Sequence, residues 1–204
     1  MKLKVCGMRE SENIQEVSRL KPDFMGFIFY RPSPRFVGDQ FNPPATPGVD
    51  RVGVFVNETT DEILAKVSLH NLRYVQLHGS ETVEQCAELK HHNVLIIKVF
   101  SVAHEIDFSL LKSYQAAVDF FLFDTKGKYF GGNASKFNWK LLEGYDVDTP
   151  FFLSGGIGPD DMEAIASITH PKLYGIDVNS GVEVSPGLKD VSKVKTIKSK
   201  LLKI

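Results

Sequence analysis

The run Phe120-Phe121-Leu122-Phe123 sets four large apolar side chains in succession. A strand with one wet face alternates apolar and polar residues. A strand covered by helices on both faces need not, so this run reads as part of a buried parallel sheet. Working outward, seven further short apolar runs recur: Leu3 to Cys6, Phe24 to Phe29, Val52 to Val56, Tyr74 to Leu77, Val94 to Phe100, Phe151 to Leu153 and Leu173 to Val178. Helices are predicted between them over Glu12–Leu20, Thr60–Leu69, Thr82–Lys90, Phe108–Tyr114, Trp139–Tyr145, Pro159–Ser167 and Val191–Leu202. In the last of these, Val191, Val194, Ile197 and Leu201 share a face, and the six lysines from Lys189 to Lys203 read as its solvated side.

Strand and helix alternating about eight times in 204 residues favour a closed parallel (β/α)8 barrel of the TIM type over an open doubly wound sheet. Residues 1–204 read as one catalytic domain. The exception to the alternation is the second crossover, 36–50, where Pro43, Pro44 and Pro47 exclude a regular helix. A shortened, proline-rich loop is expected there, with at most one turn of helix.

Lys and Arg number 24 against 25 Asp and Glu, so no global field draws in a nucleic acid. No apolar run reaches the ~20 residues that a membrane helix needs. Met1 through Gly7 enter a strand pattern at once, so the mature chain is expected to start near Met1 and to carry no fused neighbour. Cys6 and Cys86 make no disulfide framework, which points to a cytoplasmic protein with reduced thiols. Nothing in the sequence names a protein partner.

In such a barrel chemistry gathers at the C-terminal ends of the strands. After strand seven comes Ser154-Gly155-Gly156-Ile157-Gly158, and after strand eight Asp177-Val178-Asn179-Ser180-Gly181-Val182-Glu183. Small-residue turns at these two ends leave backbone N–H groups uncovered and fit a phosphate, helped by the adjoining helix start. Cys6 closes strand one beside Gly7, where a thiolate could act as base or nucleophile if neighbours lower its pKa. Cys86 shares a helix face with Val83 and Ala87 and reads as a small core residue. Asp124 ends strand six after four apolar residues, a setting that favours a protonated carboxyl acting as general acid. Going round a closed barrel, strands seven and eight lie between six and one, so a phosphate seated there puts its sugar between Cys6 and Asp124. Arg35, in Ser33-Pro34-Arg35-Phe36, offers a guanidinium fork suited to a carboxylate. The histidines (His70, His78, His91, His92, His104, His170) lack ligand spacing, so no metal site is expected, and His78 reads as a structural hydrogen-bonding residue.

Lys4-Val5-Cys6-Gly7, Ser33-Pro34-Arg35, Val75-Gln76-Leu77-His78-Gly79, Asp124-Thr125, Gly131-Gly132, Phe137 with Trp139, Leu153-Ser154-Gly155-Gly156, and Asp177 through Glu183 with Pro186-Gly187-Leu188-Lys189-Asp190 resemble, in order and spacing, the phosphoribosylanthranilate isomerase family. The resemblance implies a cofactor-free Amadori rearrangement in tryptophan biosynthesis, converting N-(5-phosphoribosyl)anthranilate to 1-(2-carboxyphenylamino)-1-deoxyribulose 5-phosphate. It implies Cys6 as the base that takes the C2 proton of a Schiff-base intermediate and Asp124 as the acid that opens the furanose. It further implies Arg35 on the anthranilate carboxylate, and amides around Gly155, Gly156, Asp177, Asn179 and Ser180 on the phosphate. Where the family has Gly-Gly-Thr-Gly and Phe-Asp-Trp, this chain has Gly131-Gly132-Asn133-Ala134 and Phe137-Asn138-Trp139, so closure after strand six is expected to differ. The competing readings are a histidine-pathway phosphosugar isomerase on the same barrel and a non-catalytic phosphosugar-binding barrel. Cys6 in place of an aspartate weighs against the first, and Cys6 together with Asp124 against the second.

Overall fold

The computed structural model describes residues 1–125 and 136–203. Eight parallel strands close into a barrel in the order of the chain: β1 Lys2–Val5, β2 Phe24–Ile28, β3 Asp50–Phe55, β4 Tyr74–Leu77, β5 Leu95–Val102, β6 Phe120–Thr125, β7 Phe151–Leu153 and β8 Leu173–Val178. The seam joins β8 to β1, with Lys4 opposite Asp177 and Val5 opposite Val178. The helices are α1 Ser11–Arg19, α2 Thr60–His70, α3 Val83–Lys90, α4 Phe108–Tyr114, α5 Met162–Ala166 and α6 Val191–Leu201. Thr59, Thr82, Asp107 and Asp190 start α2, α3, α4 and α6, each side chain accepting backbone N–H groups of the first turn.

Two apolar layers follow from the strand period of two. Side chains such as Val5, Phe27, Leu77, Phe123 and Ile176 point outward and pack under the helices. Those pointing inward at the N-terminal end, Phe24, Val52, Tyr74, Leu122 and Phe152, plug the barrel. Phe24 sets its ring edge to Tyr74 at 5.1 Å and to Phe152 at 5.5 Å between centroids. The bottom is thus sealed by aromatics, and the polar inward residues lie above them, toward the C-terminal ends.

The second crossover carries no helix, as its prolines require. Arg51 takes over the helix's role there by donating to the Pro44 carbonyl at 2.9 Å and to the His70 carbonyl at 3.1 Å, and Phe41 packs on Phe27. Two expected helices are reduced. Trp139–Gly144 is a 3-10 helix rather than an α-helix, and the expected Pro159–Ser167 helix is a 3-10 turn over Pro159–Asp161 followed by the five-residue α5. A hairpin that the pattern did not predict, β9 Glu183–Ser185 with β10 Leu188–Lys189, follows β8. Lys189 belongs to that hairpin and is 2% exposed, so it is not part of the solvated side of α6. The altered run Gly131-Gly132-Asn133-Ala134, from which a different closure is expected, lies outside the described residues.

Candidate active site

Cys6 follows β1 directly and Asp124 lies inside β6, whose ladder runs one residue further than the sequence pattern predicts. Both line a single pocket at the C-terminal mouth, together with His78, Ser154, Gly156, Asp177, Asn179 and Ser180. The strand register therefore brings the proposed acid and base together with both small-residue loops.

The two loops meet backbone to backbone. A Cβ on Gly181 would lie 2.1 Å from the Ile157 carbonyl oxygen, so only glycine lets the loop after β8 approach the loop after β7 so closely. Among the described residues the N–H groups of Gly155, Gly156, Asn179 and Ser180 donate to no protein acceptor. The helix start expected to assist them is weak, because α5 is short and the Gly158 N–H already donates to Asp161 Oδ2 at 2.7 Å.

Asp124 is not in the purely apolar setting that its preceding residues imply. Its Oδ1 accepts the Thr125 N–H at 2.8 Å, and its Oδ2 stands 3.5 Å from His78 Nε2. The other ring nitrogen of His78 lies 3.3 Å from the Gln76 amide nitrogen. Gln76 is 1% exposed, and its Oε1 has no hydrogen-bond partner among the described residues.

Below Cys6, the Lys4 ammonium donates to Asp177 Oδ1 at 2.8 Å, with the side chains 0% and 5% exposed. The Asp177 side chain thus turns into the barrel and leaves only its backbone for a phosphate. Burial raises the Asp177 carboxyl, and Lys4 draws it back. Burial also works against the Lys4 charge, but Asp177 and Cys6 hold the ammonium above its ordinary value. Burial pushes the Cys6 thiol up, Lys4 pulls it down, Asp177 adds to the rise and Lys189 opposes it.

Arg35 differs from its expected role as an open fork. Its Nε and Nη2 donate to Glu183 Oε1 and Oε2 at 2.8 and 2.7 Å, a bidentate pair with both side chains under a tenth exposed. Its stem crosses Gly7, which has φ +69° and where a Cβ would meet Arg35 Cδ at 2.8 Å. Glu183 also accepts from Lys189 Nζ at 2.6 Å, and that lysine donates to Asn179 Oδ1 at 2.6 Å. Burial brings Lys189 down to about 8, with Glu183 pulling the other way. Lys4, Glu183 and Lys189 were missed in the sequence as site residues. Lys4 had a signal, since it shares a strand face with Cys6, but Glu183 and Lys189 had none, because their partners come from distant segments.

Among the described residues no group of His, Cys, Asp and Glu could hold a metal ion, and no helix is long and apolar enough to cross a membrane.

The family model described as N-(5'phosphoribosyl)anthranilate (PRA) isomerase matches residues 3–200. Curated proteins named N-(5'-phosphoribosyl)anthranilate isomerase from Parabacteroides distasonis and Phocaeicola vulgatus are each 44% identical to this chain, covering 99% and 98% of it and 94% and 98% of their own lengths. The crystal structure of phosphoribosyl anthranilate isomerase from Thermotoga maritima superposes with a TM-score of 0.85 at 32% identity, covering 100% of both chains. A structure of such an isomerase in complex with reduced 1-(o-carboxyphenylamino)-1-deoxyribulose 5-phosphate gives 0.82 at 30% identity, again over 100% of both chains.

Proposed function

The chain belongs to the N-(5'-phosphoribosyl)anthranilate isomerase family and is an aldose–ketose isomerase of tryptophan biosynthesis; from that premise we propose that Cys6 and Asp124 divide its proton transfers. The supporting observation is that the two line one pocket with Gly156, Asn179 and Ser180 at its rim. In this reading the amides of Gly155, Gly156, Asn179 and Ser180 and the backbone at Asp177 hold the phosphate, and the sugar lies across the mouth. Asp124 protonates the ring oxygen, the C1–O bond breaks, and the nitrogen lone pair forms a C1=N Schiff base. The Cys6 thiolate takes the C2 proton, the C2–H electrons form C1=C2 and neutralise the nitrogen, and the resulting enolamine ketonises with a proton returned to C1. C1 is reduced as C2 is oxidised, so the electrons balance within the substrate and no redox cofactor is needed.

Arg35 serves the anthranilate carboxylate through the donors that Glu183 does not use. A guanidinium has five N–H groups, and the Nε–Nη2 edge spends only two of them. Among the described residues Arg35 and Lys189 flank Glu183, a local group of two cations and one carboxylate that suits an anionic ligand. The Gln76 Oε1 acceptor suits a sugar hydroxyl. We read residues 1–204 as one catalytic domain acting on a small phosphorylated substrate in the cytoplasm, without a nucleic-acid partner, a reading supported by the near-balanced charge.

The test is complementation of a tryptophan auxotroph lacking this isomerase, beside the equivalent histidine auxotroph, with rescue expected in the first. At the residue level, Cys6→Ser and Asp124→Asn should each lower kcat by about two to four orders of magnitude while KM changes little. Near-native kcat in a folded variant removes that residue from the mechanism.

A further inference from the structure

Lys4 is a buried cation that the proton transfers above do not use. Inward positions of such a barrel are ordinarily filled by branched apolar side chains. A lysine there costs several kcal/mol of desolvation, which an ion pair offsets only in part. Its position gives it two neighbours rather than one. The β1–β8 register sets Lys4 opposite Asp177, and the period of two sets it on the same strand face as Cys6, about 7 Å along the strand, within reach of a lysine side chain. Asp177 and Cys6 both line the pocket above.

We propose that Lys4 is a positioning residue for the isomerisation: its ammonium is the shared counter-charge of the Asp177 carboxylate and the Cys6 thiolate, which compete for it. The proposal rests on the reading of Cys6 as the base. While Cys6 is a thiol, Lys4 belongs to Asp177. When the thiol ionises, the ammonium turns part of its charge to sulfur, and when the thiolate takes the C2 proton the original pair is restored. Ser154 Oγ, 3.4 Å from Asp177 Oδ2, gives the carboxylate a second donor while Lys4 is shared. Among the described residues the other groups facing Cys6 are Lys189 from β10, with His78 after β4, Asp124 on β6 and Tyr30 after β2 across the pocket. Arg35 and Glu183 lie behind Gly7. Lys189 is committed to Glu183 and Asn179, which among the described residues leaves Lys4 as the cation able to respond.

The two partners make opposite predictions, which a merely structural ion pair does not. The readout is the rate of Cys6 alkylation by iodoacetamide against pH, measured in a Cys86→Ala background so that one thiol reports. Lys4→Met should raise the midpoint by about one pH unit or more, because the cation beside the thiolate is gone. Asp177→Asn should lower it, because the competitor is gone and the cation remains. The double variant Lys4→Met/Asp177→Asn leaves no buried ion unpaired and is the safest to fold. Its midpoint should lie above wild type and below Lys4→Met. Shifts in the same direction for both single variants, or a double variant at or below wild type, overturn the proposal. Failure of the base reading shows separately: a Cys6→Ser enzyme with near-native kcat rejects Cys6 as base and, with it, a catalytic purpose for Lys4, even if the alkylation order holds. An inactive Cys6→Ser enzyme with unshifted alkylation midpoints rejects Lys4 alone.

Discussion

At Gly181 the loop after β8 touches the loop after β7, and no side chain fits between them. A methyl group there would sit 2.1 Å from the Ile157 carbonyl oxygen and 2.9 Å from that of Gly156, both backbone atoms that cannot swing aside. Gly181→Ala must therefore push the loops apart and misalign the amides of Gly156 and Ser180. Each hydrogen bond to a charged group is worth about 1.5–3 kcal/mol. Loss of one should raise KM for the phosphorylated substrate about ten- to a hundredfold, with a smaller change in kcat. Inhibition by inorganic phosphate should weaken in parallel. Initial rates with and without phosphate check this, and an unchanged KM would move the phosphate away from these loops.

The β9–β10 hairpin connects the mouth to the outer layer of the barrel. Asn13 of α1 pairs with both backbone groups of Lys189, accepting its N–H at 2.8 Å and donating to its carbonyl at 2.9 Å. Glu183 then ties Lys189 to Arg35 and accepts the Gly187 N–H at 3.0 Å. Burial works against the Glu183 charge, but Arg35 and Lys189 outweigh it and hold the carboxyl below its ordinary value. Glu183→Gln keeps the shape and strands two cations, so it should cost about 3 kcal/mol, read as a lower urea midpoint. It should also weaken carboxylate-bearing ligands more than ligands without the carboxylate, because Arg35 loses its anchor. Equal losses for both ligand sets would count against an orienting role. This hairpin also marks where sequence reading stops. The eight strands were legible because each is a local apolar run, and the prolines announced the missing helix. The positions of Cys6 and Asp124 at the mouth were legible because strand ends fix the mouth of a barrel. Glu183 and Lys189 were not, since a glutamate in a turn and a lysine before a lysine-rich helix look solvated until Arg35 and Asn13, more than a hundred residues away, are brought to them. Trp139–Gly144 failed for a different reason: the helix is only six residues long, from the cap at Asn138 to Tyr145, whose N–H closes on the Leu142 carbonyl, and so short a run takes the tighter winding.

Across the whole molecule, the buried weak acids decide how far stability extends to alkaline pH. Cys86 is fully buried between α3 and the sheet, and burial pushes its thiol from 9.0 up to about 11. Burial likewise raises Cys6, Tyr74, Tyr114 and Tyr145. For each of these the folded state holds its proton longer than the unfolded chain does. Their contribution is therefore fully present below the unfolded value and is lost as pH rises through the folded one. Lys189 runs the other way: lowered to about 8, it binds fewer protons when folded, so stability gains between about 8 and the unfolded value of 10.5. Among the described residues this one lowered lysine faces two thiols and three tyrosines, and the stability of the native protein should hold to about pH 9 and then fall. Cys86→Ala isolates the largest thiol effect. The variant should lose about 1 kcal/mol at neutral pH from the small cavity left in the core. Above pH 9 the deficit should shrink, because the native protein gives up Cys86 linkage that the variant never had. That linkage is worth about 2 kcal/mol by pH 11, at about 1.4 kcal/mol for each pH unit separating the folded and unfolded values. Urea unfolding of both proteins at a series of pH values between about 7 and 11 measures this, and the two midpoints should meet at about pH 10 and cross above it. Parallel curves over that range would mean that Cys86 ionises as easily folded as unfolded.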